Sequence, residues 1–374
     1  MLYVSVYDPH ISLTGGTVRG RQFIERLSPK FDIDLVYMEG SGQAFDLSTE
    51  PAWSSRCAAV ANKRAVPFSK WGYFLFSSPM MEAVEELAAR RRHDLIVCDY
   101  GLSAQYGRRL SRRTGAPLVY LSHNLEYLLY LNKGRRDPRR WALLPHVYRV
   151  ERWAVRHADL VVSIAHNEVP VYTRWRGRDD VLVIPQGFDE QQFSPNYDPP
   201  RNERKVVFFC GNYLAPGNRD VVATVYDRIA ARVIEKHPDV LFRFVGAHPP
   251  THLAHPNFEF TGFVPDYLDH LRQADVMISP MLSGAGFPTK IVEALSCGKP
   301  TIATDIGARN VWRGHPSLRI CDIDRFPAAI CEVLAEDRPV RAEGYEELRL
   351  RYAWQPMIDR LSGRMMELIQ GARG

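Results

Sequence analysis

Twelve short apolar runs, each followed by a helical or loop stretch, constrain the fold of this chain more than any other feature. The first half carries LYVSVYD, DIDLVYM, DLIVCDYG, PLVYLSHN, DLVVSIA and VLVIP; the second carries KVVFFCGN, LFRFVGA, FEFTGF, DVMISP, PTIATDI and LRICD. Apolar residues recur at helical spacing over Val18 to Leu27, Met80 to Arg92, Trp141 to Ala158, Val221 to His237 and Tyr267 to Ala274. Strands that alternate with helices build βαβ units and parallel sheets, and such sheets gather ligands at the carboxyl ends of their strands. Two sets of runs predict two doubly wound α/β domains.

The break between the sets is legible. After VLVIPQGFDEQQFSP comes NYDPPRNERK, a stretch of prolines and charges without periodicity, which has the composition of a linker. This predicts an N-terminal domain over 1–195, a linker over 196–204, a second domain over 205–350 and a terminal helical segment over 351–374. A chain of 374 residues also exceeds what one core usually organises. Two domains leave a cleft between them, a favoured place for a ligand.

Composition narrows the class. Hydrophobic content of 45% and charged content of 24% are those of a soluble globular protein. No apolar run reaches the roughly 18 residues of a membrane span, and the start, MLYVSVYDPHI, reads as a strand and not as a signal peptide. Cys57, Cys98, Cys210, Cys297, Cys321 and Cys331 are scattered, mostly in apolar surroundings and without a C-x-x-C pair, the pattern of reduced thiols in a cytoplasmic protein. The net charge of +5 is unevenly placed: from Gly101 to Val150 ten Lys or Arg stand against Glu126 and Asp137, a local net of +8. Two readings share this stretch, a solvated basic face, or a contact between Arg108 and Arg140 and an anionic membrane or phosphate-bearing acceptor. Each basic residue near anionic lipid contributes roughly 1 kcal/mol. GRRDPRRWALLPHVYRV, which mixes Arg with Trp141, Leu143 and Leu144, suits a peripheral position at the inner face of a membrane. No nucleic-acid-binding motif accompanies the charge, so no nucleic-acid partner is expected.

The chemistry concentrates between Ser283 and Gly307, SGAGFPTKIVEALSCGKPTIATDIG. A glycine-rich turn enters a short helix with Pro288 in its first turn, Ile291, Val292 and Leu295 as its apolar face, and Gly298 and Pro300 as its stop. Unpaired N–H groups of Gly286, Phe287 and Thr289 would point from the helix start, where the dipole also favours an anion, and Lys290 adds a full charge. Glu293 lies inside the apolar run IVEAL, where a carboxylate needs donors; ribose hydroxyls would supply them. A surface ion pair of Lys290 and Glu293 is the plainer alternative. His123, at a strand-to-loop junction beside Asn124 and Glu126, points to a polar role. Gly15 and Gly16 suit both a tight turn and close approach to phosphate.

These residues resemble the C-terminal signature of the GT-B glycosyltransferases of the large group often called family 4, or glycosyltransferase group 1. The resemblance runs nearly the length of the chain. SLTGGTVRG is similar to the family's glycine loop, SHNLEY to its histidine loop, and ERWAVRHADLVVSIAHNE to its helix and strand before the linker. VIPQGFDEQQFSP matches Pro-x-Gly-x-Asp-x-x-x-Phe-x-Pro at Pro185, Gly187, Asp189, Phe193 and Pro195, and FTGFVPDYLDHLRQADVMISP matches the segment packed near the nucleotide base. Two departures stand out. Ala285 occupies the place where the family often has a Glu that contacts the donor sugar, and CGNYLAPGNRD offers Asn212, Asn218 and Arg219 where a basic pair is usual. A subgroup with Lys before the second Glu shares these features.

The resemblance implies two Rossmann-like domains facing each other across a cleft, with a terminal helix crossing back to the first. It implies a transferase that moves a sugar from a nucleotide-diphosphate donor to a carbohydrate or lipid-linked acceptor. Glu293 would hold ribose, Phe263 and Val264 the base, and Gly286, Phe287, Thr289 and Lys290 the diphosphate, joined by Asn212 and Arg219. Gly15 and Gly16 would meet the phosphates from the first domain, and His123 would face the reacting sugar. Retention of configuration, with the leaving phosphate taking the acceptor proton, belongs to the same implication. Losing the first Glu and the basic pair keeps open a non-catalytic scaffold or partner subunit, and because fold does not fix reaction a GT-B sugar-nucleotide epimerase or hydrolase is a second rival.

Other motifs carry less. His248, His252 and His255 are interrupted by Pro249, Pro250 and Pro256, which breaks the helix that a zinc pair would use. Asp32-Ile33-Asp34 and Asp322-Ile323-Asp324 are D-x-D pairs in apolar strand patterns, so no metal and no other cofactor is expected. Gly298-Lys299 is followed by Pro300, and no G-x-G-x-x-G follows the first strand, which sets aside kinase and dehydrogenase readings.

Overall fold

The computed structural model describes residues 1–11, 15–39, 56–60, 76–134, 139–195, 203–250, 253–284, 286–336 and 341–373. The chain divides into two compact units, one formed by residues 1–186 with 357–374, the other by 187–356. The division falls at Gln186/Gly187, ahead of the expected linker, most of which lies outside the described residues. Phe188 explains the shift: its N–H donates to the Tyr352 carbonyl and its own carbonyl accepts from Trp354, so this segment packs with the second unit.

The first unit holds a seven-stranded parallel sheet in the order β3-β2-β1-β4-β5-β6-β7. Its strands are β1 Leu2–Ser5, β2 Asp34–Met38, β3 Cys57–Val60, β4 Ile96–Asp99, β5 Leu118–Leu121, β6 Leu160–Ser163 and β7 Val181–Val183. The second unit holds a six-stranded parallel sheet, β10-β9-β8-β11-β12-β13, built from β8 Val206–Cys210, β9 Leu241–Val245, β10 Phe258–Gly262, β11 Val276–Ser279, β12 Thr301–Ala303 and β13 Leu318–Ile320. Both are α/β layers in doubly wound order, each with one place where the strand order reverses: β1 beside β4, and β8 beside β11.

Central strands are buried on both faces, which is why they read as continuous apolar runs. β1, β4 and β5 bury every residue, and around β8 and β9 Phe208, Phe209, Phe242 and Phe244 fill the second core. At about 25 cal/mol per Å² of apolar surface removed from water, this burial is a main stabiliser of each sheet.

Local differences have local causes. The strand Cys57–Val60 escaped the sequence reading because CAAV lacks the β-branched signature; it is held as an edge by register with Leu35–Met38. The helix expected over Val221 to His237 is three pieces, with a π segment at Val225–Ile229 between Pro216–Thr224 and Ala230–Lys236. The stop at Gly298 forms a Schellman end: Gly298 N–H donates to Leu295, Lys299 N–H to Ala294, and φ of Gly298 is +68°. The final helix, Trp354–Arg373, brings residues 357–374 to the first unit, where Lys30 Nζ meets Asp359 at 2.5 Å and Ser362 Oγ at 2.9 Å.

Candidate functional site

In the second unit, the candidate site lies where β8 and β11 part. After β11 the chain turns through Gly284 and Gly286, at φ +152° and +81°, conformations that favour glycine. It then enters the helix Thr289–Ser296. Pro288 stands outside that helix. With φ −83° and ψ +71° it is the centre of an inverse γ-turn in which Thr289 N–H donates to the Phe287 carbonyl at 3.0 Å. This corrects two expectations: Pro288 is not in the first turn, and the Thr289 N–H is already paired within the chain. Among the described residues no acceptor is found for the N–H groups of Gly286 and Phe287.

Lys290 reaches from this helix across the break. Its Nζ donates to the Cys210 carbonyl at the end of β8, 2.5 Å away, and to Asn218 Oδ1 at 3.3 Å, and it lies 4.1 Å from the centre of the Phe209 ring. Burial lowers its pKa. Asn218 is itself held by donating to the Asn212 carbonyl at 2.8 Å, and Asn212 Oδ1 accepts from Leu214 N–H. Gly211 permits this packing, since a Cβ there would lie 2.6 Å from Asn218 Nδ2. Arg219 is exposed on the same short helix, with no ion-pair partner among the described residues.

Glu293 does find a donor, and it is a protein one. Tyr267 Oη donates to Glu293 Oε2. Burial pushes the Glu293 carboxyl up to about 7, against the opposing pull of Tyr267 and Lys290. The Tyr267 contact also ties the loop of Phe263 and Val264, which follows the edge strand β10, to the helix that carries Lys290. Val264 packs against the core, whereas Phe263 is 69% exposed. Arg309 is the residue that sequence reasoning missed here: its Nε donates to the Gly286 carbonyl at 3.0 Å and its Nη1 to the Gly284 carbonyl at 2.7 Å.

In the first unit, the corresponding break holds a different set. Ser5 and Asp99 are register partners at the ends of β1 and β4, and Ser5 Oγ donates to Asp99 Oδ2 at 3.2 Å. His123, just past β5, places Nε2 2.6 Å from Asp99 Oδ1. Asp99 is fully buried and His123 is 4% exposed. The rings of Tyr7 and Tyr100 flank the imidazole, with centroids 5.2 and 6.1 Å away. Tyr100 sits at φ +80°, a strained value for a non-glycine residue and one seen often beside functional groups. The helix Gly15–Leu27 starts at Gly15 and Gly16, and a Cβ on Gly16 would lie 3.0 Å from the Tyr7 ring. Residues 12–14 of that glycine loop lie outside the described residues. Arg19, wholly buried, donates to the carbonyls of Ser122 and Ile184 at 2.9 and 2.7 Å; burial lowers its pKa to about 10.

Two family models match the chain: "Glycosyl transferase 4-like domain" over residues 14–187 and "Glycosyl transferases group 1" over residues 204–336. The chain belongs to the group 1 glycosyltransferases. Among solved structures, this chain is similar to sucrose-phosphate synthase from Thermosynechococcus elongatus, with a TM-score of 0.72, 19% identity, and coverage of 99% of this chain and 100% of that one. It is also similar to Anabaena HepE in complex with UDP, with a TM-score of 0.68, 15% identity, and coverage of 98% and 100%. Those likenesses give the GT-B fold. Among curated relatives, a phosphatidyl-myo-inositol mannosyltransferase of Mycolicibacterium smegmatis is 28% identical over 58% of this chain and 59% of its own length. The chain therefore spans about three fifths of the length of that relative.

Part of the basic region lies among the described residues. Arg108, Arg109, Arg112 and Arg113 of the helix Ala104–Thr114 line an open groove of about 520 Å³ with Glu85, Gln105 and Trp153. Arg109 and Arg113 each lie 3.9 Å from Glu85, too far for a strong pair. Arg135 and Arg136 fall outside the described residues, as does His252. Three of the four D-x-D aspartates stand in ion pairs, Asp32 with Arg56 and Arg91, Asp34 with Arg91, and Asp324 with Arg228, and Asp34 also shares a hydrogen bond with His93.

Proposed function

We propose that this protein transfers a sugar from a nucleoside-diphosphate donor to a carbohydrate or lipid-linked acceptor, without a metal and with retention of configuration. The observation that carries the reading is Lys290, a half-buried cation at the strand-order break whose hydrogen-bond partners are a carbonyl and an amide oxygen. A cation taken from water and given only neutral acceptors keeps its charge for an anion, and a diphosphate leaving group is such an anion. Lys290 and the N–H groups of the turn stabilise the charge that develops as the bond from sugar to phosphate breaks. Glu293 accepts ribose hydroxyls on the oxygen that Tyr267 leaves, and Phe263, exposed on the neighbouring loop, offers a ring to the base. Asn212, tied to Lys290 through Asn218, and Arg219, next to Asn218 in the chain, would join the diphosphate contacts.

Uridine diphosphate is the first donor nucleotide to test, because HepE was solved with UDP bound. A phosphate-bearing acceptor is favoured by the relative that acts on phosphatidyl-myo-inositol and by the arginine groove. The same groove supports a peripheral contact with an anionic membrane surface on the cytoplasmic side. No helix among the described residues is long and apolar enough to cross a membrane. The reading without a metal draws support from the D-x-D carboxylates of Asp32, Asp34 and Asp324, which stand in ion pairs with arginines. His123, held by Asp99, faces the transferred sugar in this reading. The test is calorimetry of UDP, GDP, ADP and CMP against wild type and Lys290→Ala, followed by turnover with the matching sugar nucleotide. Selective binding lost in the variant supports the donor site, and binding without turnover on any acceptor favours a non-catalytic scaffold.

A further inference from the structure

We propose that Arg309 is a second cation of the donor diphosphate site and the residue that positions its glycine turn; this rests on the donor-site reading of Lys290. One guanidinium holds two carbonyls of the turn, Gly284 and Gly286, at 2.7 and 3.0 Å. The trans peptide is planar, so a carbonyl and the N–H of the next residue point in opposite directions. Fixing the Gly286 carbonyl against Arg309 therefore fixes the Phe287 N–H on the opposite side, away from the guanidinium. Gly284 is matched to this arrangement: a Cβ there would lie 2.8 Å from Arg309 Nη2, and its φ of +152° excludes most side chains.

Charge separates this role from that of a simple pin. Two carbonyls could be held by a neutral amide, yet an arginine is used, half-buried and with no carboxylate within ion-pair distance among the described residues. The acid nearest in sequence, Asp305, is engaged by Arg313 at 2.5 Å. Burial lowers the Arg309 pKa with no opposing carboxylate. Lys290 has the same character, a cation bound only to neutral oxygens. Lys290 on the helix and Arg309 behind the turn match a ligand group that carries at least two negative charges: Lys290 meets it directly, and Arg309, on the face away from the Phe287 N–H, adds its charge across the turn and not by contact.

The experiment is calorimetry with UDP, GDP and ADP and with the corresponding monophosphates on wild type, Arg309→Ala, Arg309→Gln, Arg309→Lys and Lys290→Ala, each checked by thermal melt. Expected is a loss of diphosphate affinity of about tenfold or more in Arg309→Ala and Arg309→Gln, with a smaller loss for the monophosphate and a shallower salt dependence. Arg309→Lys keeps part of the affinity. Gln at 309 binding diphosphate as tightly as wild type overturns the second-cation role; folded Ala at 309 matching wild type overturns both roles. Should Ala fail to fold, the Gln and Lys variants decide. Wild type that binds none of the nucleotides brings down the donor-site reading and this inference with it, whereas wild type that binds while Arg309 variants are unaffected brings down this inference alone.

Discussion

The two sheets reverse their strand order in the same way and furnish the reversal with opposite chemistry. In the second unit Lys290 stands at the break between β8 and β11, and Arg309, from the segment after β12, holds the glycine turn ahead of its helix, both bound only to neutral oxygens. In the first, the break between β1 and β4 presents a carboxylate and an imidazole already bound to each other, Asp99 and His123, with Ser5 behind them. One place asks for an anion; the other is internally compensated and suits a neutral, hydroxyl-rich group. A shared topology therefore supplies a location, and the residues at the strand ends decide what it holds.

Four substitutions and one titration test that contrast, in order of expected effect. Lys290→Ala removes charge stabilisation at the second break, and kcat/KM for the donor falls about a thousandfold, with nucleotide affinity measured alongside by calorimetry. Equal turnover would remove the lysine from the site. His123→Ala acts at the other break: turnover drops about a hundredfold while nucleotide affinity stays within about twofold. Asp99→Asn, which leaves the ring but disturbs its orientation, gives a smaller drop. If His123→Ala weakens nucleotide binding as strongly as Lys290→Ala does, the division of labour between the units is wrong.

The third test uses pH. Burial raises the folded pKa of Glu293 to about 7 from the ordinary carboxylate value of about 4.5, so the folded state holds its proton more tightly than the unfolded chain. Its contribution to stability is complete below about 4.5 and declines as pH rises to about 7. Ribose binding needs the ionised form, so nucleotide affinity moves the other way, rising severalfold, by roughly three- to tenfold, between pH 6 and 8. Glu293→Gln flattens that rise, and a persistent rise in the variant would assign it to another group. The smallest effect is that of Tyr267→Phe. Losing one hydrogen bond to the carboxylate weakens nucleotide binding about threefold and moves the midpoint of the pH profile upward, since the Tyr267 hydroxyl is what lowers the Glu293 pKa. An unmoved midpoint would mean that the tyrosine does not tune the acid.

Fold was legible where burial wrote it into the sequence. Parallel strands covered on both faces must be apolar throughout, so β1, β4, β5, β8 and β11 stood out, whereas the edge strand Cys57–Val60 did not. The glycine turn and the helix that follows it were readable because local backbone needs dictate glycine before the helix and after it. What was not readable is what depends on distance in sequence. Tyr267 meets Glu293 across 26 residues, Arg309 meets Gly284 across 25, and Asp99 meets His123 across 24. No local pattern encodes such contacts. The γ-turn at Pro288 was hidden for the opposite reason: a proline before a helix fits the first turn equally well by sequence, and only φ and ψ separate the two.

The measurement that bears most directly on the central claim is the affinity of a nucleoside diphosphate, UDP first, for wild type and for Lys290→Ala, by calorimetry at pH 8 on protein shown to be folded. Binding in the wild type that is weakened about a hundredfold in the variant is the predicted result. Binding of equal strength in both proteins would contradict it, and would move the donor away from the break between β8 and β11.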